Sequence, residues 1–156
     1  MGVPPDPGEL QRLVALADTA DLALAIVGTW AEAIRVLARA DADSADWDAR
    51  ETEREILWQT AAERFGEDAL LGMLTALRAD ATPVLDHALR AAATRLTIAD
   101  PHLGSEAIGA AQLALQHAAL AFFADAPASH RFRTHLALFA VGRWPLAAID
   151  ARLHVF

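Results

Sequence analysis

Seven carboxylates (Asp41, Asp43, Asp46, Asp48, Glu51, Glu53 and Glu55) crowd the fifteen residues from Asp41 to Glu55. Oxygen donors at that density invite a calcium loop. Such a loop needs ligands at positions one, three, five and twelve and a glycine at six. Counting from Asp41 puts Ala45 at five, Asp46 at six and Thr52 at twelve; counting from Asp43 puts Ala45 at three and Arg54 at twelve. Neither register fits. The run reads better as a helix start, in which Asp48 caps the first amides and Glu51 reaches back to it, with the other acids near the positive end of the helix dipole. Glu51 with Arg54, and Arg50 with Glu53, add i,i+3 pairs.

Six histidines invite a metal centre or proton transfer. Helical bundles that hold metals carry Glu and His three residues apart, and the chain has neither that spacing nor HExxH. His87 shares a face with Arg90 and Thr94, which predicts a solvated side chain. His117 falls with Leu113 and Leu120 on an apolar face and is the histidine best placed for a pocket. Glu106, on the same side, is roughly 16 Å away along a helix axis, too far to share an ion with it. Ser44, Ser105 and Ser129 each precede an expected helix, and LGSEA around Ser105 is not a nucleophile elbow. Gly104 and Gly109 lack the strand and lysine of a phosphate loop. No metal and no cofactor is expected.

Composition removes further chemistry. Cysteine, lysine and tyrosine are absent, which leaves no thiolate nucleophile, no Schiff-base amine and no phenolic acid. Disulfides and thiolate zinc sites go with them. Asparagine is also missing and all 13 basic residues are arginine, the usage of a GC-rich genome. The hydrophobic fraction of 54% is nearly half alanine, so the composition favours helix more strongly than it favours a large core.

Charge is uneven along the chain. Up to Asp125 there are 20 acids against nine arginines, whereas the remainder carries Arg131, Arg133, Arg143 and Arg152 against Asp150 alone. Two accounts fit: the basic tail packs on its own acidic body, or the two surfaces meet in a second copy or an outside protein. Nucleic acid is a poor partner for a chain at −8. Trp47 lies among the acids and Trp144 in the basic tail, the setting of interface anchors or of plugs at the ends of a bundle.

The elements that must position these groups are helical. Pro4, Pro5, Pro7 and Gly8 make an extended leader over residues 1–8, without the charged and apolar regions of a secretion signal. A short helix is expected over Glu9–Ala17, and a second runs from a cap at Asp21 to Arg39, apolar on most sides between Leu22 and Trp30. The amphipathic helix after the acidic run ends at Gly66, and Glu67 and Asp68 open the next, which Pro83 breaks or restarts. IADPHLGS forms a turn, and Ser105 caps an Ala-rich helix to Ala124. That helix has no formal charge after Glu106, but its alanines, Gln112, Gln116 and His117 make it a buried helix, not a membrane span. A further helix stops near Gly142. The tail from Pro145 fits a last helix, with a short β-hairpin around Asp150 as the alternative.

The expected fold is therefore all-α: one domain over residues 1–156, five to seven helices packed around the two Ala-rich helices Asp21–Arg39 and Ser105–Ala124. The expected function is a non-catalytic protein-binding module of a bacterial cytoplasm, such as a small inhibitor, immunity or regulatory protein, or a homodimer. Its expected docking residues are Asp41, Asp43, Asp46, Trp47, Asp48, Glu51, Arg131, Arg133, Arg143 and Trp144. The rival is a helical-bundle enzyme or ligand carrier with a pocket at His117, with His102 and Glu106 nearby.

Overall fold

The computed structural model describes residues 24–26, 29–40, 44–95, 101–149 and 152–155. These are mostly helical and contain five helices: α1 (Trp30–Ala40), α2 (Ser44–Phe65), α3 (Glu67–Arg95), α4 (Pro101–Phe123) and α5 (Arg131–Ala140). Three short strands accompany them: β1 (Leu24–Ile26), β2 (Pro145–Ile149) and β3 (Arg152–Val155). The expected leader over residues 1–8 and the helix Glu9–Ala17 lie outside the described residues.

The Ala-rich α4 is the centre of the helical body, in contact with α2, α3 and α5. Its alanines let neighbouring helices approach closely: Ala111, Ala118, Ala119 and Ala121 are buried, with Leu115, Leu120 and Phe123 filling the gaps between them. Leu70 of α3 and Leu136 of α5 are fully buried against the same core. Each such leucine contributes about 1.5–3 kcal/mol through the apolar surface it removes from water. Among the described residues, no helix is long and apolar enough to cross a membrane.

Four boundaries differ from expectation. The helix predicted from Asp21 to Arg39 begins only at Trp30, and Leu24–Ile26 inside it is a strand. Thr29 starts α1: its hydroxyl accepts from the Glu32 amide at 3.3 Å and its carbonyl from the Ala33 amide at 3.0 Å. This helix packs mainly on β2 and is not a second central helix. On the other side of the break, α2 begins at Ser44, so Asp48 stands inside the helix and cannot be its cap.

Pro83 neither breaks nor restarts α3. The proline is exposed, while Leu77, Ala81 and Leu85 remain buried on one continuous face either side of it. Burial of that face offsets the lost backbone hydrogen bond, and the Thr82 hydroxyl donates to the Arg78 carbonyl at 2.7 Å just before the proline. Likewise α4 starts at Pro101, a position where the missing amide costs nothing, so Ser105 is an exposed residue inside the helix and no turn occupies 101–104.

The tail from Pro145 is extended. β2 and β3 pair antiparallel, with Ala148 opposite Leu153 and Ile149 opposite Arg152. β3 also pairs in parallel with β1, Ala25 opposite His154, giving the order β1-β3-β2. The strand pairing joins the two ends of the described chain and draws Leu24–Ile26 out of the helix its composition favours. Gly142, with φ +74°, turns the chain from α5 toward β2.

Candidate functional site

The helices α2, α4 and α5 enclose a cleft of about 140 Å³. Its floor is apolar: Ala110, Leu113 and Ala114 from α4, and Phe132 and Phe139 from α5. Its polar groups are Arg50 and Glu51 from α2, His117 from α4 and His135 from α5. Helical spacing explains the grouping. Residues 110, 113, 114 and 117 form one face of α4, and 132, 135 and 139 one face of α5.

His117 is half-buried, and its ring lies over Phe132 with centroids 4.7 Å apart and planes tilted by 34°. Its Nε2 is shut off from solvent and has no hydrogen-bond partner. A buried polar atom left in that state costs about 1–3 kcal/mol, and most such atoms in folded proteins are satisfied. Burial holds the imidazole below the ordinary histidine value. Glu51 opposes this, while the positive charges of Arg54, Arg50 and Arg131 reinforce it.

The carboxylates beside the cleft are engaged. Glu51 Oε2 accepts from Arg54 Nε at 3.1 Å. Glu53 Oε1 lies 2.8 Å from His130 Nε2, and its Oε2 accepts from Arg131 Nε at 2.5 Å. His130 in turn caps α5, its Nδ1 accepting from the Phe132 amide at 3.2 Å. Its ring meets Phe132 edge-on at 5.2 Å, so Phe132 is held between two histidines. The α2 charges thus fix the start of α5, and the start of α5 fixes the aromatic wall of the cleft.

The expected docking residues that the structure describes differ in their placement. Asp41 and Asp43 lie outside the described residues. Asp46 and Trp47 stand in the first turn of α2, but their side chains are likewise outside what is described. Asp48 is exposed. Glu51 lines the cleft, and Arg131 is bound to Glu53 of the same chain, which supports the packing account of the charge asymmetry at that pair. Arg133 is 6% exposed; its guanidinium donates to the Ala126 carbonyl at 3.1 Å and lies 5.6 Å from the Phe122 ring centre, so it is not presented to solvent. Arg143 is half-buried, and Trp144 packs partly on the core.

Of the rival pocket, the structure places His117 in the wall of this cleft. Glu106 is exposed and does not line the cleft, and the side chain of His102 is outside the described residues. Sequence reasoning missed Arg50, His135, Glu53 and His130. His135 was legible only as a tail histidine at helical spacing from Phe132 and Phe139; the others sat inside a charge run or a turn. Among the described residues, no group of three His, Asp or Glu is placed to hold a metal ion.

A second cleft of about 160 Å³ opens between α2, α3 and α4, with Trp58, Leu74 and Leu77 inside it. Arg78 spans its mouth, donating to Gln112 Oε1 at 3.0 Å. The chain matches no family model, no curated protein and no solved structure.

Proposed function

We propose that this protein is a non-catalytic binding module that takes a ligand in the cleft beside His117. The observation that carries the reading is the His117 Nε2, buried without a partner in the wall of a small cleft whose other polar residues come from two further helices. An apolar hollow with a few convergent polar groups, one of them titratable and perturbed, is the usual form of a small-ligand site. A heteronuclear NMR screen with fragments of mixed charge tests this. At least one fragment class should shift the His117 imidazole and Phe132 ring resonances, and His117→Leu should abolish that response. A screen in which no fragment moves either residue overturns the reading.

A second reading is favoured by the outer face of α2. Asp48, Thr52, Glu55, Ile56, Gln59 and Glu63 are all exposed at helical spacing, and Ile56 is 58% exposed. An apolar residue set among acids suits docking of a basic protein, as in a small inhibitor, immunity or regulatory protein. The product of an adjacent gene is the partner to try. Capture should survive in wild type and fail in the double variant Asp48→Arg, Glu55→Arg; capture that is indifferent to both reversals removes this face from consideration.

A further inference from the structure

We infer that the second cleft, between α2, α3 and α4, is a site for a small organic monoanion with an apolar body, its charged head held at the mouth by Arg78 and Gln112. The inference stands apart from the reading of the His117 cleft. The two clefts use opposite faces of α4: residues 110, 113, 114 and 117 border one, and 112, 115, 116 and 119 the other. Size sets the first limit. About 160 Å³ is close to the volume of an apolar cavity that accepts a benzene ring, so a body of about six carbons fits. Leu74, Leu77, Leu115 and the half-buried Trp58 give that body its apolar walls.

Charge selects the head. Arg78 is the one charged residue among the described residues that line this cleft, and no acid stands three or four residues from it on α3. Glu55, one turn before Trp58 on α2, does not line the cleft; its carboxylate meets Gln59 at 3.1 Å and Arg54 at 3.6 Å. Arg78 donates to Gln112 Oε1 at 3.0 Å, and because arginine cannot accept, the Gln112 oxygen must face it. The amide nitrogen of Gln112 and the rest of the guanidinium fork are then neighbouring donors. Trp58 also has a donor as its only polar side-chain atom. The other side-chain acceptors among the described lining residues are the neutral oxygens of Thr75 and Gln116. A cation would meet the Arg78 charge with no carboxylate to offset it, and a neutral head would forgo the charge-assisted contact. One fixed cation matches one negative charge.

The test follows the indole N–H resonances of the full chain, which has four tryptophans, with Trp58 assigned from the peak lost in Trp58→Phe. Hexanoate, hexanol and hexylamine are titrated separately at about pH 7.5, where the acid and the amine are both ionised. Hexanoate should saturate the Trp58 shift at about fivefold lower concentration than either of the others, a modest factor because Arg78 is exposed. Arg78→Met, which keeps most of the apolar stem, should bring hexanoate level with hexanol, and Gln112→Leu should cut the hexanoate advantage about twofold. Circular dichroism of each variant checks the fold. Hexylamine or hexanol binding as tightly as hexanoate overturns the monoanion class, as does a hexanoate advantage that survives in a folded Arg78→Met variant. A Trp58 resonance that no probe moves overturns the site itself, and so does a hexanoate response confined to His117 and Phe132, which would place the anion in the other cleft.

Discussion

The Glu53 carboxylate lies 2.8 Å from Nε2 of His130, and this contact decides which nitrogen of that ring can cap a helix. The Phe132 amide donates to Nδ1, so Nδ1 must be the acceptor and Nε2 the protonated nitrogen that donates to Glu53. Removing Glu53 therefore loosens the cap as well as two side-chain bonds. Glu53→Ala should lower stability by about 2 kcal/mol in urea denaturation, and a double-mutant cycle with His130→Ala should show the two losses to be non-additive. Strict additivity would mean that the carboxylate does not act through the histidine.

Gly142 accepts a side chain only with strain. Its φ is +74°, and an added Cβ would sit 3.1 Å from the Ala92 Cβ and 3.2 Å from the Ala88 carbonyl oxygen of α3. Gly142→Ala should cost about 1–3 kcal/mol, measured by thermal unfolding. Gly72, on the exposed face of α3 with nothing within 4 Å of an added Cβ, should behave in the opposite way. Gly72→Ala should gain about 0.5–1 kcal/mol through helix propensity.

Stability should fall on mild acidification because of His117. Its folded-state value lies below the ordinary 6.5, chiefly through burial, with Glu51 raising it and Arg54, Arg50 and Arg131 lowering it further. The unfolded chain then binds its proton first as the pH drops below about 6.5, so stability is full above that point and declines toward the folded-state value. The measurement is denaturant unfolding of wild type and His117→Leu between pH 7.5 and pH 5. The difference between them should shrink toward high pH; a wild-type curve parallel to that of the variant would contradict the assignment.

His117→Leu should also be the more stable protein at neutral pH, by about 1 kcal/mol, since it removes a buried nitrogen that has no partner. The same substitution should abolish any ligand response of the cleft. A gain in stability coupled to loss of binding is the signature of a residue retained for function. Loss of stability would instead mark the Phe132 contact as the reason for the histidine.

Much of the helical body is written in local chemistry. Alanine content and 3.6-residue spacing identify the central helix and the faces of α2 and α3 that it meets, because helix propensity and amphipathic patterning act within one turn of the chain. Gly66 separates α2 from α3 as expected, with φ +85° at the junction. Local rules failed where distant segments compete. Leu24–Ile26 leaves the helix expected of it to pair with β3, and the Ile26, Val27, Gly28, Thr29 run, β-branched residues followed by a breaker and a cap, was the available signal.

The charges show the division most clearly. Sequence alone established that acids gather between Asp41 and Glu55, that arginines dominate the tail, and that thiolate, lysine and tyrosine chemistry is absent. It singled out His117 by its place on an apolar face. Only tertiary packing decided that Glu53 meets Arg131 and His130, that Arg133 is buried, and that Arg50, His117 and His135 border one cleft. The reason is range. Periodicity reports which face of its own helix a residue occupies, whereas a site made by three helices depends on how those faces are brought together, and that is set by the packing of side chains far apart in the chain.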